Sequence, residues 1–91
     1  MKYYTYWDNG NHSCGQVGPF CTSRDAVNAA YDLLEGWMES ANLDEYDDDK
    51  WNTMIEDASV CVDQYDPETD SMLCYWEPTD SDLAAIGWIE R

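Results

Sequence analysis

The balance of charge is the sequence feature that most limits what this chain can fold into. Twenty Asp and Glu residues stand against four Lys and Arg residues, and the formal net charge is −16 at pH 7. Like charges crowded onto one small surface repel each other and destabilise the compact state. A chain that folds despite this repulsion must enclose an apolar interior in a negative surface, and we expect that surface to serve a function.

The apolar content is high enough for such an interior to form. Hydrophobic residues make up 44% of the chain and aromatic residues 14%, including five Trp and seven Tyr. Disordered acidic segments are poor in aromatic residues, whereas each large aromatic side chain can bury roughly 150–250 Å². We therefore expect residues 1–91 to form a single folded domain with a core of modest size.

Neither membranes nor nucleic acids are expected as direct partners. Residues 1–7 contain one basic residue and no apolar stretch typical of a secretory signal, and no run approaches the roughly 20 apolar residues of a membrane span. Anionic membrane surfaces and nucleic acids are bound through Lys and Arg, which are scarce here. These observations predict a cytoplasmic protein whose partner is basic.

The four cysteines are Cys14, Cys21, Cys61 and Cys74. Because no secretory signal is recognised, we expect reduced thiols in a cytoplasm rather than disulfides. If the thiols were oxidised, Cys61 with Cys74 across a hairpin would be the best pair, and Cys14 with Cys21 the natural second pair.

The chain begins with a pattern typical of a β-hairpin. Residues 2–7 are β-branched and aromatic, and a strong turn signal follows at residues 8–11. A second short strand around Val17 is expected to end at Gly18-Pro19, since proline interrupts a strand.

The clearest element is a helix predicted over residues 22–42. Thr22 is its expected N-cap, with Asp25 three residues further on, and Asn42 is the expected residue just after its end. Apolar side chains at helical spacing form one stripe: Val27, Ala30, Tyr31, Leu34, Trp37, Met38 and Ala41.

The rest of the chain predicts a short helix over residues 48–57, strands over residues 59–65 and 71–77 joined by a turn at residues 66–70, and a terminal helix after Pro78. The order β-β-α-α-β-β-α indicates an α+β fold. We expect a small antiparallel sheet of four strands with helices packed on one face. The order of the strands in the sheet stays open.

Acidic side chains follow the side of the long helix opposite its apolar stripe. Asp25, Asp32, Glu35 and Glu39 occupy this row, which spans about 21 Å at about 1.5 Å per residue. That length matches about six base pairs of duplex DNA, although the carboxylates are spaced more widely than phosphates. A second cluster follows the helix and consists of Asp44, Glu45, Asp47, Asp48 and Asp49. The second hairpin adds Asp63, Asp66, Glu68 and Asp70.

These carboxylates have two interpretations. A row of acids opposite a core stripe is usually a solvated helix face, and for the helix row alone that is the better interpretation. An ordinary solvated surface mixes both signs, however, and no basic residue lies four positions after an acid in this row. For the surface as a whole, the near absence of Lys and Arg favours a functional charge.

Metal binding and catalysis have little support. Asp66, Glu68, Asp70 and Glu77 fall at positions 1, 3, 5 and 12 of an EF-hand spacing, but Ser71 stands where the turn requires glycine.

His12, Cys14 and Cys21, with Cys61 or Cys74, lack the closely spaced cysteine pair of a structural zinc site. No glycine-rich phosphate loop or hydrolase elbow is present, and there is a single His. We expect a protein that is not an enzyme and holds no cofactor.

In size, charge, aromatic content and lack of catalytic motifs, the chain resembles small phage-encoded anti-CRISPR proteins that act as DNA mimics, with antirestriction proteins next. The resemblance implies an inhibitor, in the cytoplasm of an infected bacterium, that binds a basic nucleic-acid-binding protein such as a CRISPR effector. Carboxylates would take the place of DNA phosphates. The contact residues predicted on this basis are Asp44, Glu45, Asp47, Asp48 and Asp49, then Asp32, Glu35 and Glu39.

Two other functions stay open. The chain could be an acidic adaptor or immunity-like partner of a basic host protein unrelated to nucleic acid, or a cation-binding structural domain. The sequence is compatible with a monomer or a homodimer, although repulsion disfavours a dimer contact through any acidic face.

Overall fold

The computed structural model describes residues 1–89, in which four strands form one antiparallel sheet and three helices pack against it. The elements are β1 (Lys2–Asp8), β2 (Cys14–Phe20), α1 (Ser23–Asn42), α2 (Asp48–Asp57), β3 (Ser59–Asp66), β4 (Ser71–Trp76) and α3 (Asp80–Ala85). The predicted α+β fold and element order are confirmed, and α2 has the predicted bounds. None of the helices in residues 1–89 is long and apolar enough to cross a membrane.

The strand order is β2-β1-β3-β4. β1 lies between β2 and β3, and its central residue Thr5 is opposite Val17 on one side and Val62 on the other. Residues far apart in the chain thus meet across β1 and β3, a pairing that the sequence analysis left open. β2 and β4 are the two edge strands.

One face of the sheet packs against the helices. Thr5, Val60 and Val62 alternate toward this face and are buried. The Thr5 hydroxyl donates a hydrogen bond of 2.6 Å to the backbone carbonyl of Ala26 in α1, so its one polar group is satisfied inside the core. Packing of the helices on one sheet face agrees with the prediction.

Tryptophan side chains fill the layer between the sheet and the helices. Trp37 of α1 lies 6.1 Å from Trp7 of β1 and 6.1 Å from Trp88, measured between ring centroids. Trp51 of α2 packs on Trp88 at 4.8 Å, and its indole N–H donates to the backbone carbonyl of Ile89 at 2.9 Å. This chain of rings joins the sheet, α1, α2 and the segment after α3 in one core.

Gly15 makes room for one of these rings. It lies opposite Trp7 in the β1–β2 pairing. A Cβ atom at Gly15 would come within 2.8 Å of the Trp7 ring, closer than real contacts allow. Glycine at this position therefore lets the indole lie flat across the edge strand.

The two ends of α1 are built differently from each other. At its start the Thr22 hydroxyl accepts the backbone N–H of Asp25 at 3.2 Å, as predicted for an N-cap. At its end the prediction was wrong: Asn42 is still helical, and the turn is made by Asp44, whose φ is 59°. The Asp44 N–H donates to the Ala41 carbonyl and the Glu45 N–H to the Ser40 carbonyl, a Schellman motif with aspartate in the position usually taken by glycine.

β2 does not end at Gly18-Pro19 as expected but continues to Phe20. Its pairing with β1 shifts register between Tyr3 and Thr5, so the irregularity is absorbed locally. Proline is tolerated here because β2 is an edge strand, where one row of backbone N–H groups has no ladder partner.

The possible disulfide pairs do not fit this arrangement, and all four cysteines are free. Cys14 and Cys21 lie at opposite ends of β2, roughly 20 Å apart at about 3.3 Å per residue, so the expected second pair is wrong. Cys74 is opposite Asp63 rather than opposite Cys61, because the turn pairs Asp66 with Ser71 and the register runs without a shift from there to Cys74. The sequence places Cys61 and Cys74 in one hairpin but cannot reveal this register.

Candidate protein-binding surface

The carboxylates lie on the surface of the protein, as its charge requires. Among residues 1–89 no Asp or Glu is buried, and every one is exposed except the half-buried Asp8, Asp63, Asp66 and Asp82. All eight predicted contact residues are exposed. A partner can therefore reach all of the predicted residues. They form two groups that differ in local structure.

The first group is the acidic helix face, formed by Asp25, Asp32, Glu35 and Glu39 of α1. It lies opposite the side of α1 on which Ala26, Ala30 and Leu34 are buried, so it points away from the sheet. A helix fixes the spacing of these carboxylates, since consecutive residues rise by about 1.5 Å along its axis.

Gly36 lies within the acidic helix face and is itself exposed. A Cβ atom added there would meet nothing within 4 Å outside the local helix backbone. The surface beside Glu35 and Glu39 is therefore bare, and a partner side chain can approach the helix backbone closely between them.

The second group is the acidic loop, formed by Asp44, Glu45, Asp47, Asp48 and Asp49, which joins α1 to α2. Its last three residues belong to the start of α2. Asp47 is the N-cap and accepts the backbone N–H of Lys50 at 2.6 Å, and Asp48 and Asp49 lie in the first turn. Negative charge at a helix N-terminus is stabilising, so these three carboxylates also serve the fold.

Asp44 and Glu45 have the opposite electrostatic position. They follow the last turn of α1, which contains no basic residue, and negative charge near a helix C-terminus is destabilising. Asp44 also adopts a left-handed backbone conformation that an L residue with a side chain adopts at a cost. Within the acidic loop these two carboxylates are the ones that local helix stability does not explain.

Lys50, which the sequence analysis left without a role, lies in the first turn of α2 beside the acidic loop. Its ammonium nitrogen is 5.1 Å from the centroid of the Tyr46 ring. A cation over a tyrosine face gains a modest stabilisation. This contact directs the positive charge of Lys50 toward an aromatic ring of the loop.

The acids of the second hairpin build its turn. Asp66 accepts the backbone N–H of Glu68 at 3.0 Å, and Asp70 accepts the Tyr65 hydroxyl at 2.6 Å. The bond to Asp70 raises the pKa of Tyr65 above its ordinary value. Residues 71–76 are a strand, as predicted when the EF-hand interpretation was set aside. Within residues 1–89 no three His, Cys, Asp or Glu side chains are arranged to hold a metal ion.

The uncovered sheet face, which was not predicted from the sequence, is opposite the helices and includes Tyr4, Tyr6, Cys61 and Asp63. The hydrogen bond with Cys14 raises the pKa of Tyr6. Burial, followed by the nearby Asp63 carboxylate, raises the pKa of the Cys61 thiol to about 11. The tyrosines at every second position of β1 were the sequence signal for this face.

Two cavities of about 130 and 150 Å³ lie among largely apolar side chains such as Leu34, Ile55 and Met38. Pockets for drug-sized ligands are larger, roughly 300–1,000 Å³. Neither cavity forms a ligand site comparable with the acidic surface.

Comparison with family models, curated proteins and solved structures found no match to this chain. The acidic helix face and the acidic loop are therefore the features of the protein from which a function can be inferred.

Proposed function

We propose that this protein is a phage-encoded inhibitor of the anti-CRISPR type that binds the basic nucleic-acid-binding channel of a CRISPR effector. The carboxylates of the acidic helix face and the acidic loop would pair with the Lys and Arg side chains that hold DNA in this channel. Target DNA would then be excluded from the channel. The observation that carries the proposal is the excess of 20 acidic over four basic side chains, together with the exposure of the carboxylates on the acidic helix face and in the acidic loop.

The acidic helix face supports the proposal through its rigidity. From Asp32 to Glu39 the helix rises about 10 Å, a distance that covers about three phosphates of one DNA strand. Lys and Arg side chains that contact successive phosphates could pair with Asp32, Glu35 and Glu39 without a change in the helix. Because the helix backbone that carries these carboxylates is ordered before binding, the loss of conformational entropy on docking is limited to their side chains.

The acidic loop supports the proposal because two of its carboxylates are in unfavourable positions in the free protein. Asp44 and Glu45 lie where negative charge destabilises the end of α1, and Asp44 adds an unfavourable backbone conformation. A basic partner would relieve the repulsion at this point. Charge that is unfavourable in the free protein becomes favourable in a complex of opposite charge, and attraction of this kind also speeds association.

A competition experiment tests the proposal. CRISPR effectors loaded with guide RNA are mixed with labelled target DNA and increasing amounts of this protein, across a salt series. We expect loss of DNA binding that weakens as salt rises, since screening reduces attraction between exposed charges. If DNA binding is unchanged at low salt for every effector tested, the proposal is wrong.

Matched variants locate the surface. Glu35→Lys with Glu39→Lys reverses two charges on the acidic helix face, and Glu56→Lys with Glu68→Lys makes the same change in charge at exposed positions outside both groups. For the acidic loop, Asp44→Asn with Glu45→Gln is matched by Glu56→Gln with Glu68→Gln. We expect at least a tenfold loss of inhibition in the two variants of the acidic surfaces and not in their two controls. An equal loss in the control would mean that net charge, not this surface, determines binding.

The same experiment distinguishes the proposed inhibitor from the alternative function. An acidic adaptor for a basic protein unrelated to nucleic acid would leave the DNA binding of every effector unchanged. It would still bind its own partner, and nucleic acid would not compete with that binding.

A further inference from the structure

We propose that two copies of this protein pair through the free edges of their β4 strands and form a dimer with one continuous antiparallel sheet. The inference is independent of the proposed function, because it concerns an edge that carries no carboxylate. It rests on the sheet order, the exposed apolar side chains of β4 and the distribution of charge along that strand.

The outer edge of β4 has backbone groups available for pairing. β4 pairs with β3 on one side, and within residues 1–89 no strand lies on its other side. An edge strand presents a row of unpaired N–H and C=O groups, which is a template for another strand. What fits such an edge is therefore an extended chain.

The side chains of β4 are unusually apolar for a surface strand. Met72, Leu73 and Tyr75 are 45%, 67% and 51% exposed. Three of the six residues of β4 are therefore large, exposed hydrophobic side chains. The other large, exposed hydrophobic residues are scattered along the chain. Apolar residues collected on a free edge favour its association with a second surface.

Charge decides which second surface fits best. Residues 71–76 contain no charged side chain, although Asp70 and Glu77 flank them directly. A basic partner would find no carboxylate on this strand, whereas a second copy would meet no like charge along it. In a protein with a net charge of −16, β4 is a strip on which two copies can touch without opposing carboxylates.

The other edge strand, β2, has more of the features that prevent pairing than β4 has. β2 carries Gly18 and Pro19 and a register shift, and proline and bulges are features that prevent edge strands from pairing. β4 has no proline, lysine or other charged residue within its bounds. Its one irregularity is the extra residue Tyr75, and residues 71–74 pair with β3 without a shift.

Antiparallel pairing of β4 with itself generates a two-fold axis, so the assembly closes as a dimer. With the axis at Cys74, Leu73 of each copy lies opposite Tyr75 of the other, and Asp70 lies opposite Pro78. Residues opposite each other in an antiparallel pair share a face of the sheet, so the axis passes through a residue position and not between two residues. In the register centred on Cys74 no two carboxylates lie opposite each other.

Light scattering with size-exclusion chromatography, repeated across a salt series, tests the dimer. The chain has a mass of 10.5 kDa, and we expect a species of twice this mass whose fraction increases with salt, because screening weakens repulsion between two negative copies. Leu73→Lys should abolish the dimer. Val17→Lys on β2, a change at another exposed apolar residue of an edge strand, should leave it intact.

The outcomes are distinct from those of the competition experiment. A wild-type protein that stays at 10.5 kDa at every salt concentration overturns the dimer, and so does a dimer that survives Leu73→Lys with unchanged circular dichroism. Loss of the dimer in Val17→Lys as well would place the interface elsewhere. Inhibition of an effector does not enter these measurements, so either proposal can fail alone.

Discussion

Trp51 and Trp88 pack edge to face with ring centroids 4.8 Å apart, and the Trp51 indole also donates to the carbonyl of the residue after Trp88. This pair fastens the segment after α3 to α2. Trp88→Ala should lower the free energy of unfolding by about 3–5 kcal/mol, since it empties a large volume in the core. Trp51→Phe keeps a ring but loses the N–H donor, and we expect a smaller loss. Urea unfolding measures both, and equal losses would contradict this division of roles.

The exposed glycine in α1 gives a prediction of increased stability. Gly36→Ala should raise the free energy of unfolding by about 1 kcal/mol, because glycine is a poor helix former and an added Cβ meets no neighbour at this position. Thermal and urea unfolding measure the change. Gly15→Ala is the contrasting variant and should be destabilising, because its Cβ would meet Trp7. A destabilising Gly36→Ala would mean that this helix face is packed against something.

The end of α1 gives a second stabilising change. Asp44→Gly should raise the free energy of unfolding by about 0.5–1 kcal/mol, since glycine adopts the left-handed conformation freely and a charge that opposes the helix dipole is removed. Asp44→Asn separates the two effects, because it removes the charge and keeps a side chain. If Asp44→Gly also weakens inhibition, stability and function conflict at this residue.

Salt should stabilise the folded protein. Raising NaCl from about 0.1 M to about 1 M shortens the screening length from roughly 10 Å to roughly 3 Å, which weakens repulsion among the exposed carboxylates. We expect the Tm to rise over this range. A variant with Glu35→Gln, Glu39→Gln and Glu45→Gln should show a smaller rise. A Tm that falls with salt would mean that attractive ion pairs dominate the surface.

Alkaline pH should destabilise the fold through Cys61. Its pKa is raised to about 11 from an ordinary 9.0, so the folded protein holds this proton more tightly than the unfolded chain does. The resulting stability is fully present below pH 9 and is lost as the pH rises toward 11. Tyr6 and Tyr65 shift in the same direction.

Urea unfolding across this pH range checks the prediction, with Cys61→Ala as the control that should lose stability less steeply. The raised pKa also predicts that iodoacetamide modifies Cys61 more slowly than the exposed Cys74 at neutral pH. Equal rates would contradict it.

Local patterns were sufficient to predict the elements. The caps at Thr22 and Thr79 and the helical spacing around Trp51 depend on residues close in sequence, and they are in place in the structure. The strand order was not predictable, because the pairing of β1 with β3 joins residues about sixty positions apart. The register of Cys74 depends on the pairing of Asp66 with Ser71 at the turn, which the predicted turn at residues 66–70 did not specify.

The candidate site was predictable in its composition but not in its organisation. Exposure of the eight contact residues follows from charge alone. The different roles of Asp44 and Asp47 could not be predicted, since they depend on where α1 ends and α2 begins. The expected end at Asn42 was two residues early because Asp44, rather than a glycine or asparagine, makes the turn.

Because the helices pack on one face of the sheet, the tryptophan side chains and two of the tyrosine side chains lie on different sides of the protein. The five tryptophans, Trp7, Trp37, Trp51, Trp76 and Trp88, belong to the layer between the sheet and the helices or border it, whereas Tyr4 and Tyr6 lie on the opposite face. A partner seated on the helices would change tryptophan emission, and one seated on the bare face would slow nitration of the tyrosines. The unlabelled protein can thus report which of its two sides a partner covers.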